Sequence, residues 1–350
     1  MITSMLLSAI IAFLLAFIGT VLVKRLAFVF GAVDRPSLKR KIHKLTTPRL
    51  GGVAIFVAIV LVLFVLLFFH NLLTSGQITH WHYFGYIFGG LVLMIGGLLD
   101  DRYNLPARFT IFPPVIASVI LIAFGVEIEK LTNPFGGVVY LEAWQSDLIV
   151  FLWLMVVMYT TKFLDGLDGL ATSVSTVGAV MMMLLSMTVV YFQPDVALFA
   201  AVVIGAQLGF LFWNFHPASI FLGEGGSTFV GFTLGTLAVI SGGKLATALL
   251  VLGIPLMDLI WIVLRRWRSG GFFSMFKGDR KHLHHRLLDL GWTQHHIFLF
   301  YTAIATLFGM TTLFLQSKEK IVALVVLLFC MLLMALFLVQ QEKKSYDSRS

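Results

Sequence analysis

Charge is scarce in this chain: 12% of its 350 residues are Asp, Glu, Lys or Arg, against 59% hydrophobic residues and a mean hydropathy of +0.96. A soluble domain carries about twice that charged fraction, so the composition excludes that class. A single cysteine, Cys330, rules out an internal disulfide. No repeat, coiled-coil run or low-complexity linker stands out, and no stretch outside the apolar segments is long enough for a second domain. Residues 1–350 therefore read as one polytopic membrane domain. The formal net charge is +8, but no compact basic domain exists to hold a duplex. The charge is read as contact with the anionic headgroups of a lipid bilayer, with no nucleic-acid partner.

What is abundant is apolar sequence of bilayer-crossing length. A helix needs about 20 such residues to cross the roughly 30 Å hydrocarbon core. Spans are predicted near 2–23, 52–71, 83–99, 108–126, 146–161, 170–191, 196–215, 226–241, 246–264, 297–316 and 321–340. The expected fold is thus an all-α integral membrane bundle of about eleven transmembrane helices, because lipid cannot satisfy an open backbone. The first span lacks a basic leading region and a small-residue cleavage site, so it is expected to be kept as a helix. Of the 25 Lys and Arg, 21 fall in loops that would share one side, and only Lys130, Lys244, Lys318 and Lys320 fall opposite. The positive-inside rule then puts the N-terminus outside, the C-terminus in the cytoplasm and the chain in the cell inner (plasma) membrane.

The groups able to do demanding chemistry all sit just past a span, in loops of that cytoplasmic side: about 24–50, 100–108, 162–170, 214–228 and 265–296. Carboxylates gathered at one leaflet require a divalent cation or a basic group as compensation. The first loop offers Lys44 and Arg49 to phosphate oxygens, and Gly51-Gly52 would let backbone pass close to a ligand. Asp100-Asp101 are adjacent acids that cannot both ionise cheaply, so one is placed to hold or take a proton. In Lys162-Phe163-Leu164-Asp165-Gly166-Leu167-Asp168-Gly169 a helical spacing of three would put Asp165 and Asp168 on one face, with Lys162 able to pair with Asp165. Glu224 stands between glycines, with Ser227 or Thr228 expected to cap the helix that follows. Magnesium suits such a place, since it takes one or two carboxylates plus substrate phosphates.

The cluster His282, His284, His285 and Arg286 suits a diphosphate. Zinc is the rival ligand, although neither a cysteine nor an HExxH helix accompanies the histidines. For Asp258, inside the ninth span, pairing with an arginine or histidine and a direct role stand equal. A transporter would place charge near mid-membrane and often show repeats, and neither is seen here.

With these residues in view, the chain resembles the polyprenyl-phosphate N-acetylhexosamine-1-phosphate transferases. The likeness runs from about residue 20 to 300. It is carried by Thr47-Pro48-Arg49-Leu50-Gly51-Gly52, Asp100-Asp101 with Leu105-Pro106, Asp165-Gly166-Leu167-Asp168-Gly169-Leu170, Gly223-Glu224-Gly225-Gly226-Ser227, Pro255 with Asp258, and His282-Leu283-His284-His285-Arg286. The resemblance implies attack of undecaprenyl phosphate on the β-phosphate of a UDP-sugar donor, most simply UDP-N-acetylglucosamine, with release of UMP and help from Mg2+. It implies that Asp100 and Asp101 deprotonate and position the lipid phosphate. Asp165 and Asp168 would shape the nucleotide and metal site, with Asp165 and Glu224 as metal ligands. Arg49, Lys44, Lys162 and the histidine cluster with Arg286 would bind substrate.

Two residues depart from that family's pattern: Lys162 where asparagine is usual, and Glu224 where aspartate is usual. Transfer of phospho-N-acetylmuramoyl-pentapeptide and a catalytically silent membrane scaffold remain the alternatives. The sugar, the glycan pathway and the oligomeric state, including a homodimer, stay open.

Overall fold

A computed structural model of the protein describes residues 1–35, 46–69, 72–74, 76, 78–133, 136–242, 244–270, 282–315, 318–330 and 333. The described chain is helical almost throughout: α1 (Ile2–Phe30), α2 (Gly51–Phe69), α3 (His80–Tyr103), α4 (Ala107–Thr110), α5 (Phe112–Ala123), α6 (Ala143–Leu164), α7 (Leu170–Ser186), α8 (Pro194–Asn214), α9 (Gly223–Ile240), α10 (Leu245–Val251), α11 (Gly253–Gly270), α12 (Leu283–Asp289) and α13 (Gln294–Phe314). A further helical stretch covers 318–330. Two small antiparallel ribbons complete it: β1 (Val33–Asp34) with β2 (Thr47–Pro48), and β3 (Lys130–Thr132) with β4 (Val138–Tyr140).

Helix boundaries follow local chemistry. Thr79 with His82 and Glu142 with Gln145 form capping boxes that open α3 and α6. Asn104, in the left-handed region at φ 49°, closes α3 ahead of Pro106.

The described part of every predicted span falls largely on helix, 331–332 and 334–340 of the last span lying outside the described residues, but not all qualify as crossings by length. Among the described residues six helices are long and apolar enough: α1, α2, α3, α6, α8 and α13. The count rises to seven if α10 and α11, bent by 79° at their junction, form one broken span. Length and composition of the described residues thus give six or seven crossings, and the expected eleven are not confirmed. The segments 107–123 and 170–186 are apolar helices too short for the test.

α9 is the axis of the bundle. Phe229, Val230 and Phe232 are fully buried, and the helix packs on α2, α3, α6 and α7. The contact with α3 is one of backbones. A Cβ on Gly97 would run into the amide nitrogen and Cα of Gly225, and one on Gly52 into the Cα of Gly226. Small residues thus let helices approach to a distance that larger side chains forbid. Gly51 and Gly52 donate to the carbonyls of Phe221 and Leu222 at 3.0 and 2.8 Å, so this glycine pair receives the segment that leads into α9. The close packing brings the C-terminal ends of α1, α3, α6 and α8 and the N-terminal ends of α2, α7 and α9 to one end of the molecule.

Candidate active site

At that end lies a cavity of about 710 Å³ whose lining includes Arg49, Asp100, Asp101, Lys162, Asp165, Asp168, Glu224 and His285. Five loops that are distant in sequence meet there.

Asp100 and Asp101 occupy the last turn of α3 and divide their work. Asp100 accepts the Leu105 amide at 2.9 Å, fixing the turn that leaves the helix. Asp101, 6% exposed, accepts the Glu224 amide, 3.1 Å from its Oδ2. It thereby caps the start of α9, where free amides favour a negative partner. The expected cap, Ser227 or Thr228, lies inside the helix instead. Both hydroxyls return to the Glu224 carbonyl, at 3.1 and 2.9 Å, because α9 begins at Gly223 and puts Glu224 in its first turn. Gly223 is required there: its φ is +81°, and a Cβ would strike the Arg49 carbonyl.

Asp165 and Asp168 do not share a helical face. α6 stops at Leu164, α7 starts at Leu170, and the repeat forms the turn between them, closed by Gly169 at φ +71°. Asp168 accepts from His216 Nδ1 at 2.7 Å and from the Ala218 amide at 3.0 Å, tying this turn to the segment after α8. Among the described residues no group donates a hydrogen bond to the Asp165 side chain. Burial, with the carboxylates of Asp101, Glu224 and Asp168 nearby, pushes the Asp165 acid well above the usual carboxylate range.

The cations are distributed unexpectedly. Lys162, in the last turn of α6, forms an ion pair with Glu224 and not with Asp165. Its ammonium also lies 5.4 Å from the Tyr159 ring centroid. Arg49 pairs with Asp34 at 2.9 Å. Lys44 lies outside the described residues, as do Arg280 and Lys281.

Only one member of the histidine cluster faces the cavity. His282 Nδ1 lies 2.9 Å from Asp258, whose other oxygen accepts the Leu283 amide at 3.0 Å. Of the two roles open to Asp258, pairing with a histidine is the one seen. His284 is buried behind Gly166, its Nε2 without a hydrogen-bond partner. Burial and the rings of His285 and His282 push its imidazole well below the ordinary value, so it is neutral. His285 lines the cavity, whereas His282, His284 and Arg286 do not. The cluster docks as a stack, with His282 and His284 ring centroids 5.5 Å apart.

His216, Asp34 and Gln294 also line the cavity without having been assigned roles from sequence.

For a divalent cation the donor set is uneven. Among the described residues no group of three or more His, Cys, Asp or Glu converges closely enough to hold a metal ion unaided. Magnesium does not need such a cage, since one carboxylate with water and substrate phosphates serves. Asp165 fits that description by its unpartnered carboxylate and the surplus of negative charge around it. Glu224 is engaged by Lys162.

Residues 83–242 match the family profile described as "Glycosyl transferase family 4". The chain is 30% identical over 333 residues to a "Probable undecaprenyl-phosphate N-acetylglucosaminyl 1-phosphate transferase" of Bacillus subtilis (strain 168), covering 93% of this chain and 88% of the relative. It is 33% identical over 315 residues to a "Decaprenyl-phosphate N-acetylglucosaminephosphotransferase" of Mycobacterium tuberculosis (strain CDC 1551 / Oshkosh), covering 82% and 76%. A similar enzyme of Yersinia pestis, named as an "Undecaprenyl-phosphate alpha-N-acetylglucosaminyl 1-phosphate transferase", is 28% identical over 300 residues, covering 82% and 78%. Motifs in order, a cavity that gathers them and relatives aligned over most of both chains lead to one conclusion: the chain belongs to glycosyl transferase family 4, the polyprenyl-phosphate N-acetylhexosamine-1-phosphate transferases.

Proposed function

We propose that this protein transfers N-acetylglucosamine-1-phosphate from UDP-N-acetylglucosamine to undecaprenyl phosphate, releasing UMP and starting a lipid-linked glycan. The observation that carries the reading is the convergence of Asp100, Asp165, Glu224, Arg49, Lys162 and His285 on one cavity at an end of a lipid-facing bundle. Phosphoryl transfer asks of a protein mainly alignment and charge neutralisation. Arg49 and Lys162 supply fixed positive charge for the donor's diphosphate, and His285 adds a donor on the opposite wall. Asp100 at the lip of α3 orients the acceptor phosphate and takes its remaining proton. Asp101 and Asp168 hold the walls in register through the Glu224 amide and His216. Mg2+, held by Asp165 with the substrate phosphates, would withdraw charge from the diphosphate as the bond breaks.

The proposed setting is the inner membrane, with the chain as one domain, the N-terminus outside and the cavity open to the cytoplasm. That orientation rests on the sequence, in which 21 of the 25 Lys and Arg fall in loops expected to share one side. Purified protein given UDP-N-acetylglucosamine, undecaprenyl phosphate and Mg2+ should release UMP, stop on addition of EDTA and resume with Mg2+. Silence with every UDP-sugar, in a preparation shown to be folded, contradicts the reading. A donor panel separates it from phospho-N-acetylmuramoyl-pentapeptide transfer.

A further inference from the structure

Lys162 and Glu224 are each other's partners. They come from different helices, and the contact between those helices is fixed independently of the pair. Thr161, one residue before Lys162, donates to the Ser227 carbonyl of α9 at 2.9 Å. Gly231 of α9 lies so close to Met158 and Thr161 of α6 that a Cβ there would collide with both. The ammonium is therefore delivered to Glu224 by packed backbone and not by a loose surface side chain. The longer glutamate arm suits a partner on a neighbouring helix. A few residues away Asp165 faces the same cavity with no partner among the described residues, and no protein cage for a metal exists there.

We infer that Lys162 is a tethered cation that takes the place of a divalent ion at Glu224, so that metal binding in this chain is confined to the Asp165 side of the cavity. This rests on the reading of the cavity as a metal-assisted phosphoryl-transfer site. A divalent ion at Glu224 would have to displace the ammonium or sit beside it, and like charges at such range repel. At Asp165 the surroundings are the reverse, with other carboxylates adding negative charge. The donor's diphosphate would then meet two unlike cations, one covalently fixed at α6 and one that comes and goes.

The test reads metal binding with no turnover involved: titration of the full-length protein in nanodiscs with Mn2+ alone, free Mn2+ being followed by electron paramagnetic resonance. Lys162→Asn should bind Mn2+ at least about ten-fold more tightly than wild type, a span typical of changes beside a metal site. Glu224→Gln, with Lys162 in place, should leave Mn2+ affinity within about two-fold, and Asp165→Asn should abolish binding. If Lys162→Asn only lowers the unfolding temperature and leaves affinity unchanged, the pair is a helix tie and the inference fails. If Glu224→Gln weakens binding about ten-fold, Glu224 is a ligand in the native protein and the inference also fails. Glu224→Gln decides the matter alone should Lys162→Asn not fold. Because the readout is Mn2+ binding, a failure here is separate from a failure of the transfer assay, which bears on the proposed function.

Discussion

At the end of the bundle away from the cavity, Lys244 donates to Gln193 Oε1 at 2.6 Å and to Ser186 Oγ at 3.1 Å, and Asp195 accepts its neighbour's amide at 2.9 Å. At the cavity end Asp165 receives no hydrogen bond from any described residue, and carboxylates of α3, α9 and the Asp165–Asp168 turn crowd together. Both ends bury ionisable groups. At the far end Lys244 finds acceptors within the protein, as a buried polar group in a structural role must. At the cavity end one of them, Asp165, has no hydrogen-bond partner among the described residues, a cost that a folded protein retains where a ligand completes the set. The difference marks where substrate belongs more sharply than the presence of charge does.

Substitutions at the two ends should therefore separate activity from stability. The largest effect is expected for Asp165→Asn: UMP release should fall by about a hundred-fold or more, while the unfolding temperature holds or rises, since an acid crowded by other carboxylates is removed. Comparable losses of activity and stability would make Asp165 a structural acid and erase the contrast. Gly97→Ala comes next. The added methyl meets the Gly225 backbone, so the fold should lose about 1–3 kcal/mol, and turnover should fall with it as Asp101 and Glu224 separate. At the satisfied end, Gln193→Leu should cost about 1–2 kcal/mol by leaving the Lys244 ammonium short of an acceptor. Turnover per folded molecule should stay at the wild-type value, as read by denaturation alongside the UMP assay.

Smaller effects come from pH, with opposite chemistry at the two ends. The Asp165 acid lies above the usual carboxylate range, so the folded protein holds that proton to higher pH than the unfolded chain does. Protons then compete with metal: Mg2+ should bind more tightly as pH rises through the folded pKa, and the Mg2+ needed for half-maximal rate should fall. Lys244 is pulled down to about 8, by burial first and then by the Lys320 ammonium. Between about 8 and the ordinary lysine value the unfolded chain binds more protons than the folded one, so stability should climb with pH across that window. The climb should shrink in Lys244→Met. A Mg2+ requirement indifferent to pH would remove Asp165 from the metal site.

Much of this was legible in the sequence. Apolar runs gave the helices, because period and length suffice when lipid is the solvent. Loop glycines and acids gave the cavity, since little else in the chain is polar. Pairings were harder to read. Lys162 and Asp165, three apart, look like helical neighbours, yet the helix ends between them and Lys162 reaches Glu224 across 62 positions of chain. The caps of α9 were misplaced for the same reason: Asp101 comes from another helix, and no local pattern announces a cap supplied in that way. The histidine cluster shows a third limit. Spacing groups His282, His284 and His285, but Asp258 and the stacking of rings decide that His285 alone faces the cavity. The number of crossings is not confirmed by length, since α5, α7 and the bent pair α10–α11 are apolar without being straight, full-length helices.

The central claim is that the unsatisfied end of the bundle joins a sugar phosphate to a lipid phosphate. The most direct test is the mass of the lipid recovered after incubating wild-type protein with UDP-N-acetylglucosamine, undecaprenyl phosphate and Mg2+, beside Asp165→Asn. The account predicts undecaprenyl diphosphate N-acetylglucosamine from the wild type and unchanged undecaprenyl phosphate from the variant. Product of that mass from both proteins, or from neither when the wild type is folded, contradicts it.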